Sequence, residues 1–100
     1  MDAIQKIQDW FISQCDGKWE HQKGISIESC DNPGWSVKID IRDTQLQDRV
    51  FIVISRNIAS DGHPVGPDWI HCHIENLIWN GAGDASKLEE ILEAFCEWAA

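Results

Sequence analysis

The sequence has no long apolar run. Val50–Ile54 is among its longest, far short of the ~20 residues of a membrane helix, so no membrane span is expected. The first residues lack a basic-then-apolar leader pattern, which makes the cytoplasm the expected location. Bases are scarce: eight lysines and arginines stand against seventeen aspartates and glutamates, a formal charge of −9. That balance argues against nucleic acid or an anionic membrane as a partner. The four cysteines, Cys15, Cys30, Cys72 and Cys96, include no CxxC pair, and without a secretory leader reduced thiols are expected. GxSxG, a glycine-rich phosphate loop and HExxH are all missing. No catalytic residue is therefore assigned, no cofactor or metal is implied, and the chain does not read as an enzyme.

What is present suits one folded domain over residues 1–100, with a hydrophobic fraction of 43% and no internal repeat. Asp2–Cys15 reads as an amphipathic helix. Ala3, Ile4, Ile7, Trp10, Phe11 and Cys15 share one side, and Lys6, Asp9 and Ser13 lie opposite. Asp2 is placed to cap its start and Asp16-Gly17 to stop it. Gly24–Ser29 alternates as a strand, and Pro33-Gly34 takes the centre of an expected type II turn. Trp35–Arg42 alternates most cleanly, with Trp35, Val37, Ile39 and Ile41 on one face. One wet face implies an antiparallel sheet.

Val50–Ser55 is apolar on both faces and is expected to be a central or partly covered strand. A loop over Ile58–Asp68 follows, then a strand over Trp69–Glu75, with Leu77–Trp79 as a short returning arm. Gly81-Ala82-Gly83 reads as a turn before the last helix. That helix is announced by a capping box of Ser86 and Glu89, with Asp84 just upstream, and by an apolar face of Leu88, Ile91, Leu92, Phe95, Trp98 and Ala99. The expected fold is α+β: an N-terminal helix, an antiparallel sheet of four to five strands in meander order, and a C-terminal helix, packed in two layers.

Charge is concentrated late in the chain. From Asp61 onward there are eight acids and one base, a net of −7. Glu89, Glu93 and Glu97 follow at i, i+4 and i+8 on one helical ridge, with Glu90 beside them. Such like-charge pairs each cost roughly 0.2–0.5 kcal/mol, and Glu97 sits at the unfavourable end of the helix dipole. The ridge reads either as a solvated face kept acidic for solubility or as a patch matched to a cationic partner surface.

Six tryptophans occur without a tyrosine. Trp10, Trp35 and Trp98 lie on apolar faces, whereas Trp19, Trp69 and Trp79 are less clearly inward and suit either a partly buried rim or an interface. His71 and His73 share one side of a strand that Glu75 continues. They supply two metal ligands where zinc sites usually use three or four.

Three blocks resemble a known family. Ser13-Gln14-Cys15-Asp16-Gly17-Lys18-Trp19-Glu20-His21 is similar to the opening motif of immunity protein family 53. Asp31-Asn32-Pro33-Gly34-Trp35-Ser36-Val37-Lys38-Ile39-Asp40 resembles its most recognisable stretch. Gly81-Ala82-Gly83-Asp84 leading into Leu88-Glu89-Glu90-Ile91-Leu92 matches a third. The resemblance implies a bacterial antidote to a polymorphic or contact-dependent toxin, acting by a stable complex with the toxin's C-terminal domain. It supplies no catalytic residues. The Ile58–Asp68 loop and the face carrying His71 and His73 depart from the family pattern, which fits either a surface that specifies one toxin or neutral drift.

The combined expectation is a cytoplasmic immunity protein, monomeric when free, that neutralises its cognate toxin, with a nuclease as one fitting target. The expected contact residues are Glu89, Glu90, Glu93, Glu97, Asp61, Asp68, Trp69 and His71. The alternatives are a small metal- or thiol-dependent enzyme and a generic protein-interaction module.

Overall fold

In the computed structural model, which describes residues 2–100, three helices and five strands follow the order α1 (Ala3–Gln14), α2 (Trp19–Gln22), β1 (Ile25–Cys30), β2 (Gly34–Asp40), β3 (Ile54–Arg56), β4 (Ile70–Glu75), β5 (Ile78–Asp84) and α3 (Leu88–Ala99). The class is α+β, with one antiparallel sheet, as the alternation in Trp35–Arg42 implies. Asp2 caps α1 by accepting the Gln5 N–H at 2.9 Å. Beyond the stop, Asp16 Oδ1 accepts the N–H groups of Lys18 and Trp19, while Glu20 accepts those of Asp16 and Gly17. This reciprocal exchange nucleates α2, an element the sequence pattern did not announce.

Strand order departs from a meander: it is β1-β2-β5-β4-β3. After β2 the chain crosses to the far edge through residues 41–53, burying Leu46 on the way, and β3, β4 and β5 then return as hairpins. β5 thereby pairs with β2 over its whole length and with β4 over residues 78–83. The expected turn at Gly81-Ala82-Gly83 is in fact the middle of this central strand. Its glycines serve close approach. A Cβ on Gly81 would meet Ile91 Cγ2 at 2.5 Å, and one on Gly83 would meet Lys87 Cβ at 2.7 Å, so their bareness lets α3 settle on the sheet. Gly34 is likewise no turn centre. It begins β2 opposite Cys30 without positive φ, and a Cβ there would lie 2.6 Å from the Gly83 carbonyl oxygen.

The β4–β5 connection is a two-residue turn, Asn76-Leu77, with φ of 54° and 61°. Left-handed values at both positions match the twist of the flanking strands, though leucine is an uncommon choice there.

Register sorts the side chains. Val37, Gly81, Cys72 and Ile54 align on the inner face, and Ser36, Ala82, His71 and Ser55 on the outer one. α3 covers the inner face over β5 and β2, and α1 packs on α3. Phe95 lies at the centre of the core, edge-on to Trp10 at 5.0 Å and Trp79 at 5.3 Å between ring centroids. Trp19 and Trp79 are buried, not on the rim. Aromatic bulk thus fills the space above the bare glycines of β5.

Candidate functional site

The start of α3 is fixed by Asp84, at the end of β5. Asp84 Oδ1 accepts the Ser86 N–H at 2.9 Å and hydroxyl at 2.7 Å; Oδ2 accepts the Trp69 N–H at 2.9 Å and lies 2.9 Å from Lys87 Nζ. The hydrogen bonds from Ser86 and Lys87, and then those from backbone N–H groups, hold its carboxyl far below the usual carboxylate range. Ser86 is consequently engaged with Asp84, and the expected Ser86–Glu89 capping box does not form; Lys87 occupies the cap position, and its side chain makes no capping bond to the helix backbone.

From that anchored start the acidic side of α3 runs past the far edge of the sheet. Glu90, Glu93 and Glu97, at i, i+3 and i+7, line a groove of about 570 Å³ between the helix and the extended segment that leads into β3. Val50, Phe51, Ile52, Ile54, Ala94 and Trp98 supply its apolar lining. Glu89, expected on the same ridge, is exposed and outside that lining. Arg56 reaches across from β3 and pairs with Glu90 at 2.8 Å, an offset absent from the helix's own sequence. Among the described residues, Glu93 and Glu97 have no basic partner within ion-pair distance. The end of α3 is steadied by Arg49, whose Nη1 donates to the Trp98 carbonyl at 2.7 Å. A cation from another element thereby offsets the unfavourable placement of Glu97 at the dipole.

The segment beside the helix corrects a second expectation. Val50–Ser55 is not a central strand, since only Ile54–Arg56 forms a strand and that strand is an edge, and its cover is partial, with Phe51 and Ile54 half-buried. Val50 and Ile52 are each 83% exposed and Val53 is 54% exposed. Phe51 turns inward, edge-on to Trp98 at 5.4 Å and Trp79 at 5.7 Å. The Trp98 indole N–H donates to the Val50 carbonyl at 2.9 Å, tying segment to helix. These apolar residues are the part of the site that sequence reasoning missed. Their two-sided pattern was the available signal, and it was read as burial.

The remaining expected contacts are scattered. Asp61 lies in the exposed Ile58–Asp68 loop, where it accepts the His63 N–H at 3.0 Å and stands 3.4 Å from His63 Nδ1. Asp68 pairs with Lys87 at 2.6 Å, beside the start of α3. Trp69 is half-buried and lines a separate cleft of about 540 Å³ with Pro33, Pro67 and Asp84. His71 is on the outer sheet face, its ring 4.9 Å from that of His73. Burial, and then the neighbouring His73, push its imidazole pKa down. The structure therefore gathers Glu90, Glu93 and Glu97 into one groove, places Asp68 and Trp69 near the helix start, and leaves Asp61 and His71 elsewhere.

Among the described residues no three or more histidine, cysteine, aspartate or glutamate side chains converge in a way that could hold a metal ion. The Cys72 thiol is pushed up to about 12 by burial, so it stays protonated and poorly nucleophilic.

The family model described as immunity protein 53 matches residues 4–100. The chain belongs to that family. An immunity protein acts against a toxin, so the partner of this immunity protein 53 member is a toxin protein. No curated protein matches the chain, and no solved structure does. No helix among the described residues is long and apolar enough to cross a membrane.

Proposed function

We propose that this protein neutralises the C-terminal domain of its cognate toxin in the cytoplasm by a stable one-to-one complex, and that the acidic side of α3 is the principal docking surface. One observation carries the reading: Glu93 and Glu97 stand without a basic partner among the described residues beside exposed apolar side chains. Charge kept for solubility alone has no need of an adjoining apolar strip. A cationic toxin surface meets both features, and the basic cleft of a nuclease is the target this polarity suits best. Opposite charge speeds the encounter and rejects mismatched partners. Glu89 extends the negative field around the contact, while Asp68, paired with Lys87, and Asp61, Trp69 and His71 lie on other surfaces and are secondary.

The test is co-production with the toxin encoded beside it, followed by association kinetics of the wild type and of Glu89→Lys/Glu93→Lys/Glu97→Lys. The expected result is a complex whose association slows by about tenfold or more in the variant, with a flatter salt dependence. Unchanged rate and affinity would remove the helix from the interface, and failure to form any complex would remove the function.

A further inference from the structure

Resting on that reading, we infer that the groove between α3 and Val50–Ile54 receives a basic amphipathic segment of the partner, with apolar side chains on its floor and lysine or arginine opposite Glu93 and Glu97. The fold already contains a miniature of this contact. Arg56 leaves the edge strand, crosses to α3 and pairs with Glu90 at 2.8 Å. Glu93 and Glu97 repeat that acceptor one and two turns further along the same lining, with no cation of the chain paired to them among the described residues. A guanidinium or ammonium delivered from outside would complete the series.

The floor explains why charge alone does not describe the occupant. Val50 and Ile52 are each 83% exposed, yet neither can turn inward. Phe51 fills the space against Trp79 and Trp98, and the Val50 carbonyl is held by the Trp98 indole. Apolar surface held outward beside a groove is the kind of patch that marks an interaction site. The segment leads into the edge strand β3, which pairs with β4 alone among the described residues and so keeps one side that an incoming segment can follow.

Charge selects among occupants. A second copy of this chain would set one row of glutamates against an identical row, because a two-fold contact places the same patch on both sides. An anionic membrane is repelled by a protein of formal charge −9. A basic segment with an apolar side satisfies both halves of the groove.

The experiment titrates isotope-labelled protein with short synthetic peptides and follows its amide resonances. One peptide alternates lysine with leucine, a second alternates glutamate with leucine, and a third alternates lysine with serine. The expected result is that the lysine–leucine peptide shifts Ile52, Ala94, Glu97 and Trp98. Its binding should weaken by about tenfold in Ile52→Asp and by at least as much in Glu93→Lys/Glu97→Lys, while the other two peptides bind weakly. No shift with lysine–leucine, equal binding of either control, shifts on the outer sheet face, or self-association abolished by Ile52→Asp would each overturn the inference. The toxin complex is measured alongside. If it forms and Ile52→Asp leaves it unchanged, the groove is wrong and the immunity reading stands; if peptides bind as expected but no toxin complex forms, the immunity reading fails and the groove stands.

Discussion

A Cβ added to Gly81 would stand 2.5 Å from Cγ2 of Ile91. The contact sets how closely α3 approaches the sheet, because Trp79 also crowds the position, with Cζ3 at 2.8 Å. Neither neighbour can withdraw easily: Ile91 and Trp79 are both fully buried. Gly81→Ala should therefore destabilise the protein by about 1–3 kcal/mol, the usual range for overpacking a tight core. Urea unfolding followed by circular dichroism checks this. A neutral result would mean that the helix shifts freely on the sheet, and the groove beside it would lose its fixed width.

That glycine also shows where the sequence was hard to read. Gly81-Ala82-Gly83 carries the composition of a turn, and only the identity of what lies above it, Ile91 and Lys87, explains it as a central strand. Tertiary crowding decided the matter, and crowding has no local signature. The two longer helices, the Trp35–Arg42 strand and the face division in Trp69–Glu75 were legible because each is set by its own period. Strand order was not, since the return of β5 to β2 depends on where residues 41–53 carry the chain. The candidate site was half legible in the same sense. Its glutamates follow a helical spacing, but Arg56 and the apolar strip reach it from another element.

Asp84 should give the folded state a marked acid sensitivity. Its folded pKa lies below the ordinary value of 3.8, so at low pH the unfolded chain takes up the proton first. The resulting stability is complete above 3.8 and is lost as pH falls through the folded value. Asp84→Asn should lower the melting temperature by several degrees at neutral pH, since the neutral amide no longer pairs with Lys87 and cannot accept all three hydrogen bonds equally. The gap between variant and wild type should narrow as the medium is acidified below that ordinary value. Melting curves across the acid range decide it: a gap that stays constant would show that Asp84 acts through its shape, not its charge.

Neighbouring residues in the Val50–Val53 segment should respond oppositely to truncation. Phe51 packs edge-on against Trp79 and Trp98, so Phe51→Ala opens a gap between the sheet edge and α3. Because Phe51 is only half-buried, the cost should fall somewhat below the ~3–5 kcal/mol of a fully enclosed phenylalanine, at about 2 kcal/mol. Ile52, at 83% exposure, touches little, and Ile52→Ser should change stability by no more than about 0.5 kcal/mol. Unfolding measurements on the two variants test the assignment directly. Comparable losses would mean that both faces of the segment are covered, as a buried strand requires. A loss confined to Phe51 would leave Ile52 as apolar surface that contributes nothing to folding and stands free for contact with another molecule.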